Sequence, residues 1–224
     1  MMMPPHAIDP EHLRVQYSDN ERLRVRLETH QRYSERPDDF VEWVLHHATL
    51  LSSQRLLDVG CGDGGFHAPL RRRGVRVVGV DRSAGMLRAA LASQGQTVAP
   101  IAVAGIPPAA ILQGDAQALP IDDATFDRAL AAHVLFHVPD VLGALRELRR
   151  VRRPGGRVVL TTNAADHSQR LYALHAAAAL ALGYTPTEPP GAHFTLDHLA
   201  LVQEVFPGAE RHIRRDAFLF PDAA

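Results

Sequence analysis

The chain has 224 residues, 46% of them apolar, and its 24 basic residues nearly balance its 25 acidic ones. This predicts one large globular unit, and a formal charge of -1 argues against nucleic acid or an anionic membrane as the main partner. Every basic residue is arginine, so the chain has no lysine for Schiff-base chemistry or for a P-loop.

The first fifty residues carry helical patterns. Glu21 to Tyr33 forms a polar helix, and the apolar spacing after Asp38 predicts a second, more buried one. We predict a helical cap over residues 1–50, followed by the main domain over 51–224.

From residue 55 onward, short apolar runs alternate with helical stretches, which predicts βαβ units and a parallel sheet buried on both faces. Ser83, Asp140 and Thr195 are predicted to cap helices. The predicted strands cover residues 55–59, 76–80, 111–112, 126–132 and 157–161.

The remaining segments are a loop, a helix and one last strand. Residues 95–110 hold two glycines and three prolines, which predicts a loop. We expect a helix over about 164–182, within a lid or acceptor region over 164–200. The alternation from Arg211 to Phe220 predicts the last strand.

A glycine-rich turn lies where the first strand meets its helix. Gly60, Gly62, Gly64 and Gly65 satisfy both GxGxG and GxGxxG, and such a turn brings backbone N–H groups to a ligand. Asp81 ends the second strand about twenty residues later, where a carboxylate accepts hydrogen bonds from ribose hydroxyls. These residues alone are compatible with a nicotinamide dehydrogenase as well as with enzymes that bind other nucleoside cofactors. The Tyr-x-x-x-Lys arrangement common in such dehydrogenases is impossible here, because the chain has no lysine.

Five segments, taken in order, resemble the motifs of class I S-adenosylmethionine-dependent methyltransferases of the small stand-alone branch. They are LLDVGCGDG at 56–64, VVGVDRS at 77–83, GDAQALPIDDATFD at 114–127, AAHVLFHVPD at 131–140 and LRELRRVRRPGGRVVLTTN at 145–163. The resemblance implies an α/β, Rossmann-like sheet of seven strands with an antiparallel last strand, and amino-terminal helices folded over S-adenosylmethionine.

The resemblance also implies which residues hold that cofactor. The turn would pass beneath its methionine part, Asp81 would hold the ribose, and His133 would lie beside the sulfur. The full implied set is Tyr33, Asp58, Gly60, Cys61, Gly62, Asp81, Arg82, Met86, Asp115, Ala116 and His133. Methyl transfer needs alignment and exclusion of water rather than a metal, and no HExxH or zinc pattern is present.

The end of the chain departs from the family. Only Arg211 to Phe220 remains for a closing hairpin, so we expect a shortened carboxyl-terminal end. An uncovered strand edge would favour a homodimer.

Two further features of the sequence predict where the protein is located in the cell. Cys61 is the single cysteine, and no apolar run reaches the roughly 18 residues of a membrane span. We expect a cytoplasmic protein with no membrane partner. The arginine clusters at 71–73 and 149–153 are interpreted as solvated helix ends.

The expected function is methyl transfer to an O, N or C atom of a small organic acceptor. The alternatives are a non-catalytic S-adenosylmethionine-binding module and, less favoured, an NAD-dependent oxidoreductase. His167, His193 and His198 are candidate bases in the lid, and the sequence identifies neither the acceptor nor a catalytic residue.

Overall fold

Five parallel strands form the central sheet of the computed structural model, which describes residues 8–37, 40–93, 110–186 and 193–220. In sheet order β3-β2-β1-β4-β5, the order reverses between β1 and β4, which is the switch point of a doubly wound fold. The strands are β1 (Arg55–Val59), β2 (Arg76–Asp81), β3 (Ile111–Gln113), β4 (Phe126–Ala132) and β5 (Arg152–Thr161).

Helices flank both faces of this sheet. One-turn 3-10 helices cover Leu135–His137 and Leu196–His198. The α-helices are α1 (Pro10–Gln16), α2 (Glu21–Tyr33), α3 (Phe40–Ala48), α4 (His67–Arg72), α5 (Ala84–Ser93), α6 (Val141–Val151), α7 (Gln169–Ala181) and α8 (Leu199–Val205).

The alternation of side chains along the strands divides the core in two. Leu56 packs with Val44 of α3 and Leu70 of α4 on one face. Its neighbour Leu57 points the other way, into a larger cluster that includes Leu145 of α6. Both leucines are almost fully buried, as expected for a parallel strand covered on both sides.

The predicted helix caps are confirmed. Ser83 Oγ accepts the Met86 N–H at 3.2 Å at the start of α5, and Asp140 Oδ1 accepts the Gly143 N–H at 2.8 Å at the start of α6. Thr195 caps the one-turn helix before α8. Local sequence therefore fixes where these helices begin.

The predicted last strand over 211–220 is wrong. This segment makes a single antiparallel bridge, from Phe218 to Ser34, and most of its residues are exposed. Without a buried face nothing fixes its register against a sheet edge. The described residues accordingly form five parallel strands rather than the seven implied by the resemblance.

Two other boundaries differ from prediction. The helix expected from 164 begins at Gln169, because the preceding residues form turns and Ser168 has φ +55°. Strand β5 begins at Arg152 rather than Arg157, and its Pro-Gly-Gly segment bulges between the two registers that pair with β4.

Two predictions concern residues outside the described ranges, and a third stays a prediction. Nearly all of the loop predicted over 95–110 lies outside them, as do Asp38 and Asp39. The division of the chain at residue 50 stays a prediction. Among the described helices, none is both long and apolar enough to cross a bilayer.

Candidate functional site

A cavity of about 840 Å³ opens at the carboxyl ends of β1, β2 and β4. This is the edge at which parallel α/β sheets bind ligands, and the volume falls within the roughly 300–1,000 Å³ of small-molecule sites. Its lining combines the glycine-rich turn, the end of β2 and the start of α5 with residues 113–117, 133–139 and the amino-terminal residues 9–18.

The glycine-rich turn is held against the end of β2. The N–H groups of Gly60 and Cys61 both donate to the Val80 carbonyl oxygen, at 2.7 and 3.1 Å. Gly60 has φ +70°, and a Cβ there would collide with the side chain of Val134. Glycine is therefore required both for the left-handed backbone and for the close approach of the segment after β4.

Asp81 connects the turn to helix α5. Its Oδ2 accepts the Gly62 N–H at 2.9 Å, and its Oδ1 accepts the Ser83 N–H at 2.8 Å. Burial raises the pKa of this carboxyl, although the N–H groups of Ser83 and Gly62 oppose the shift. The carboxylate lines the cavity with both oxygens already oriented by backbone donors.

The part of the cavity wall near β2 and β3 combines apolar side chains with a carboxylate. Met86 is buried at the start of α5. Asp115 Oδ1 accepts hydrogen bonds from the backbone and the side chain of Gln117, both at 2.9 Å. Together with Ala116 these residues form one end of the cavity.

Beneath the turn lies a buried polar pair. Nε2 of His67 is 3.2 Å from Oδ2 of Asp58, and both side chains are about 2% exposed. A Cβ on Gly79 of β2 would lie 2.7 Å from His67 Cε1 and 2.8 Å from Cys61 Sγ. Gly79 therefore makes the room in which these three side chains pack under the turn.

His133 follows β4 in a left-handed conformation, with φ +53°. Its backbone N–H donates to the carbonyl oxygen of Thr161 at 3.0 Å and to Oγ1 of the same residue at 3.1 Å. The ring lies 5.4 Å from that of Phe40. Burial, then the charges of His167, His30 and Arg26, lower the His133 pKa to about 4.

The amino-terminal helices form the opposite wall. The hydroxyl of Tyr17 shares a 2.8 Å hydrogen bond with Nε2 of His137. The Tyr17 carbonyl oxygen accepts a hydrogen bond from the Ser83 hydroxyl. A Cβ on Gly62 would lie 3.5 Å from Leu23 of α2, which places α2 over the glycine-rich turn.

A family model described as "Methyltransferase domain" matches residues 57–160, which span β1 through β5 and all the cavity segments except the amino-terminal wall. This part of the chain is therefore a methyltransferase domain. The predicted Rossmann-like class is confirmed by the sheet order and by methyltransferases of known structure.

Curated relatives match somewhat more than half of the chain. A malonyl-[acyl-carrier protein] O-methyltransferase of Erwinia pyrifoliae is 37% identical over 54% of this chain and 42% of its own length. A ubiquinone biosynthesis O-methyltransferase of Acinetobacter baylyi is 29% identical, over 60% and 54%. The chain thus spans about half the length of the curated relatives it matches. An Aquifex aeolicus methyltransferase structure, 19% identical with a TM-score of 0.53 over 74% of this chain and 77% of that one, shares the fold.

The structure gathers most of the methyltransferase residues that the sequence predicted. Eight line the cavity, namely Gly60, Gly62, Asp81, Arg82, Met86, Asp115, Ala116 and His133. Asp58 and the Cys61 thiol lie beneath the turn instead. Tyr33 packs against Phe220, with ring centroids 4.8 Å apart, and is not among the cavity-lining residues.

The resemblance implied amino-terminal helices over the cofactor, but it did not identify which residues of α1 and of the segment after it line the cavity. Tyr17 and His137 are 120 residues apart, and no local pattern connects them. Both residues line the cavity. Within the described ranges no cluster of His, Cys, Asp or Glu is arranged to hold a metal ion.

Proposed function

We propose that this chain moves the methyl group of S-adenosylmethionine to an oxygen, nitrogen or carbon atom of a small organic acceptor. The observation that carries the proposal is a single cavity shared by the Gly60–Gly62 turn and the Asp81 carboxylate. Those are the two elements that a nucleoside cofactor with an amino-acid tail requires at a switch point.

The residues present fit this cofactor. Asp81 would accept hydrogen bonds from the ribose hydroxyls, Met86 would pack on the adenine, and Asp115 with Ala116 would contact the adenine edge. Gly60 and Gly62 expose backbone where a methionine tail approaches, because neither carries a Cβ. By the resemblance, Asp58 would fix the amino group of that tail, directly or through water.

The cofactor supplies an electrophilic methyl group on a sulfonium, which a nucleophile takes by in-line displacement. The protein's own contribution is alignment and exclusion of water. The amino-terminal wall performs the exclusion, since Tyr17 and Ser18 close one side of the cavity. His133 lines the cavity with an imidazole that is uncharged at neutral pH, because its pKa is about 4.

An oxygen acceptor is favoured among the three atom types. Two of the relatives described above are named as O-methyltransferases. Their matches cover 54% and 60% of this chain, so their own substrates are not transferred to it.

Calorimetric titration with S-adenosylhomocysteine tests the proposal. We expect binding by the intact protein, and at least about tenfold weaker binding by Asp81→Asn, because hydrogen bonds to a charged group are lost. Asp122→Asn, an exposed carboxyl, is the matched control. Absence of binding by the intact protein, or binding of NADH in its place, would overturn the assignment. Binding with no methyl transfer to any acceptor would favour the non-catalytic alternative.

Cytoplasmic location and homodimerisation are further parts of the proposal. The single cysteine is buried, which suits a reducing compartment. The outer edge of β5 has no strand partner among the described residues, and such edges favour association. Sedimentation velocity tests the dimer, and a monomer at all concentrations would contradict it.

A further inference from the structure

The segment over residues 211–220, here called the strap, pairs with the junction between α2 and α3. The Glu35 N–H donates to the Ala217 carbonyl oxygen at 2.9 Å. The Leu219 N–H donates to the Tyr33 carbonyl oxygen at 2.7 Å. These two hydrogen bonds run antiparallel and join the backbone of the strap to the point at which α2 ends.

Side chains add a polar anchor at the same junction. The Ser34 hydroxyl donates to Oδ2 of Asp216 at 2.6 Å, and the same oxygen lies 3.0 Å from Nη1 of Arg214. Nη2 of Arg214 donates to the carbonyl oxygen of Arg36 at 2.8 Å. The Arg214 side chain is only 9% exposed, so solvent screens its ion pair less than it screens an exposed one. Arg214 therefore ties the strap to the linker between α2 and α3.

Aromatic contacts continue the strap along α2. The Phe218 ring lies 4.7 Å from that of His30, and the Phe220 ring lies 4.8 Å from that of Tyr33. These contacts matter because α2 has no buried residue of its own. An element with few buried apolar contacts opens at a low cost in free energy unless other contacts hold it. The strap supplies such contacts at the carboxyl end of α2.

The elements that the strap holds cover the cofactor cavity at two places. Leu23 of α2 lies over Gly62 of the glycine-rich turn. At the start of α3, the Phe40 ring has the Arg214 guanidinium 6.0 Å away and the His133 ring 5.4 Å away. Gly62 and His133 line the cavity, whereas no residue of the strap, which the structure describes in full, does so. The strap therefore reaches the cavity through α2 and Phe40, without touching a ligand.

We propose that the strap holds α2 and Phe40 closed over the cofactor cavity and thereby sets the rate at which S-adenosylhomocysteine leaves. The proposal rests on the proposed function for the identity of this ligand. Ligand enters and leaves through the open form, whose population the strap limits. Because the strap does not touch the ligand, loosening it should raise the association and dissociation rate constants by the same factor and leave Kd nearly unchanged. Damage to the cavity itself would raise the dissociation rate constant alone.

Arg214→Gln and Arg215→Gln form a matched pair, because they remove the same charge from neighbouring residues of the strap. Arg215 is exposed, whereas Arg214 pairs with Asp216 and lies over Phe40. Stopped-flow measurements with S-adenosylhomocysteine should give both rate constants at least about fivefold higher for Arg214→Gln, since hydrogen bonds between charged groups are lost from the closed form. Arg215→Gln should keep the original values. A rise in the dissociation rate constant alone, or equal rates in the two variants, would overturn the proposal.

A disulfide between the strap and the junction tests the opposite change. Ser34 and Phe218 face each other between the two backbone hydrogen bonds. The Cα atoms of such a pair lie about 4.5 Å apart, which a disulfide can span. In a protein carrying Ser34→Cys and Phe218→Cys, oxidation should slow both rate constants at least about tenfold, because the open form becomes rarer, and reduction should restore the fast rates. Cys61 is buried and competes poorly for the new thiols. Identical rates in the oxidised and reduced forms would contradict the role of the strap.

Amide hydrogen exchange separates this proposal from the proposed function. In the ligand-free protein, Arg214→Gln should speed the exchange of the α2 amides and leave that of the β1 amides unchanged, because only the held helix opens. Arg215→Gln should change neither. Failure of S-adenosylhomocysteine to bind the intact protein would count against the proposed function, and exchange along α2 would then decide the role of the strap by itself. Unchanged exchange along α2 in Arg214→Gln would overturn that role whether or not the ligand binds.

Discussion

The hydroxyl of Tyr17 and Nε2 of His137 lie 2.8 Å apart, with their rings in edge contact at 5.4 Å. Arg26 of α2 lies over the same tyrosine ring at 5.5 Å. This contact joins the segment between α1 and α2 to the turn after β4, on opposite sides of the cavity. It is therefore one of the contacts that hold the amino-terminal wall against the rest of the domain.

Replacing Tyr17 with phenylalanine removes the hydrogen bond but keeps the ring. We expect S-adenosylhomocysteine to bind about two to ten times more weakly, which corresponds to one net hydrogen bond, and to dissociate faster. Stopped-flow displacement measures the rate. Tyr184→Phe, whose ring is 70% exposed, is the control, and equal rates for the two variants would contradict the role of the contact.

Gly85 gives a steric test of the same wall. A Cβ on this residue would collide with the carbonyl of Ser18, so Gly85→Ala should displace the amino-terminal segment from α5. We expect faster tryptic cleavage at Arg14 and Arg22 and weaker ligand binding. Gly208→Ala introduces the same methyl group where no atom lies within 4 Å. A cleavage pattern shared by both variants would show that the segment is not held there.

His133 predicts a pH dependence of stability. The unfolded chain takes up this proton near pH 6.5, whereas the folded chain takes it up near pH 4. Between those values the unfolded state binds more protons, so the free energy of unfolding falls as the pH falls. This site contributes a loss of about 2–3 kcal/mol between pH 7 and pH 4.5.

Urea unfolding at the two pH values measures that loss. His133→Asn should show a smaller decrease than the unchanged protein, since asparagine does not titrate and tolerates the left-handed φ of +53°. His46→Asn should show the full decrease. If His133→Asn lost as much stability as the unchanged protein, the low pKa would be wrong.

Gly79→Ala tests the packing under the glycine-rich turn. The added methyl group would lie too close to His67 and to Cys61, and overpacking of this kind costs about 1–3 kcal/mol. Burial raises the pKa of the Cys61 thiol well above its usual value, so thiol reagents should label the folded protein very slowly. We expect Gly79→Ala to be less stable and to label faster, while Gly208→Ala changes neither property.

The sheet and eight of the cavity-lining residues were predictable because their signals are local. The apolar runs from Arg55 to Val59 and from Phe126 to Ala132 gave strand bounds that the structure reproduces. The location of Asp81 at the cavity was predictable because the carboxyl ends of parallel strands lie at one edge of the sheet. A residue at such a strand end is therefore placed by its position in the sequence alone.

The predictions that failed depended on distant partners. The alternation in residues 211–220 indicated a strand, but the backbone of Ala217 and Leu219 bonds to Glu35 and Tyr33 instead of to a strand of the sheet. Tyr33, whose contact with the cofactor stays a prediction, packs on Phe220. Neither outcome has a local signature, because each depends on which surface the chain end meets after folding.

By itself the sequence determined the glycine-rich turn, the carboxylate at the end of β2 and the order of the motifs, since periodicity and strand ends fix those positions within the fold. Only the tertiary structure decided that Tyr17 meets His137 and that Leu23 of α2 lies over Gly62. Those contacts join helices with few buried residues to strand ends far along the chain. These contacts result from long-range packing, which no short-range pattern of residues encodes.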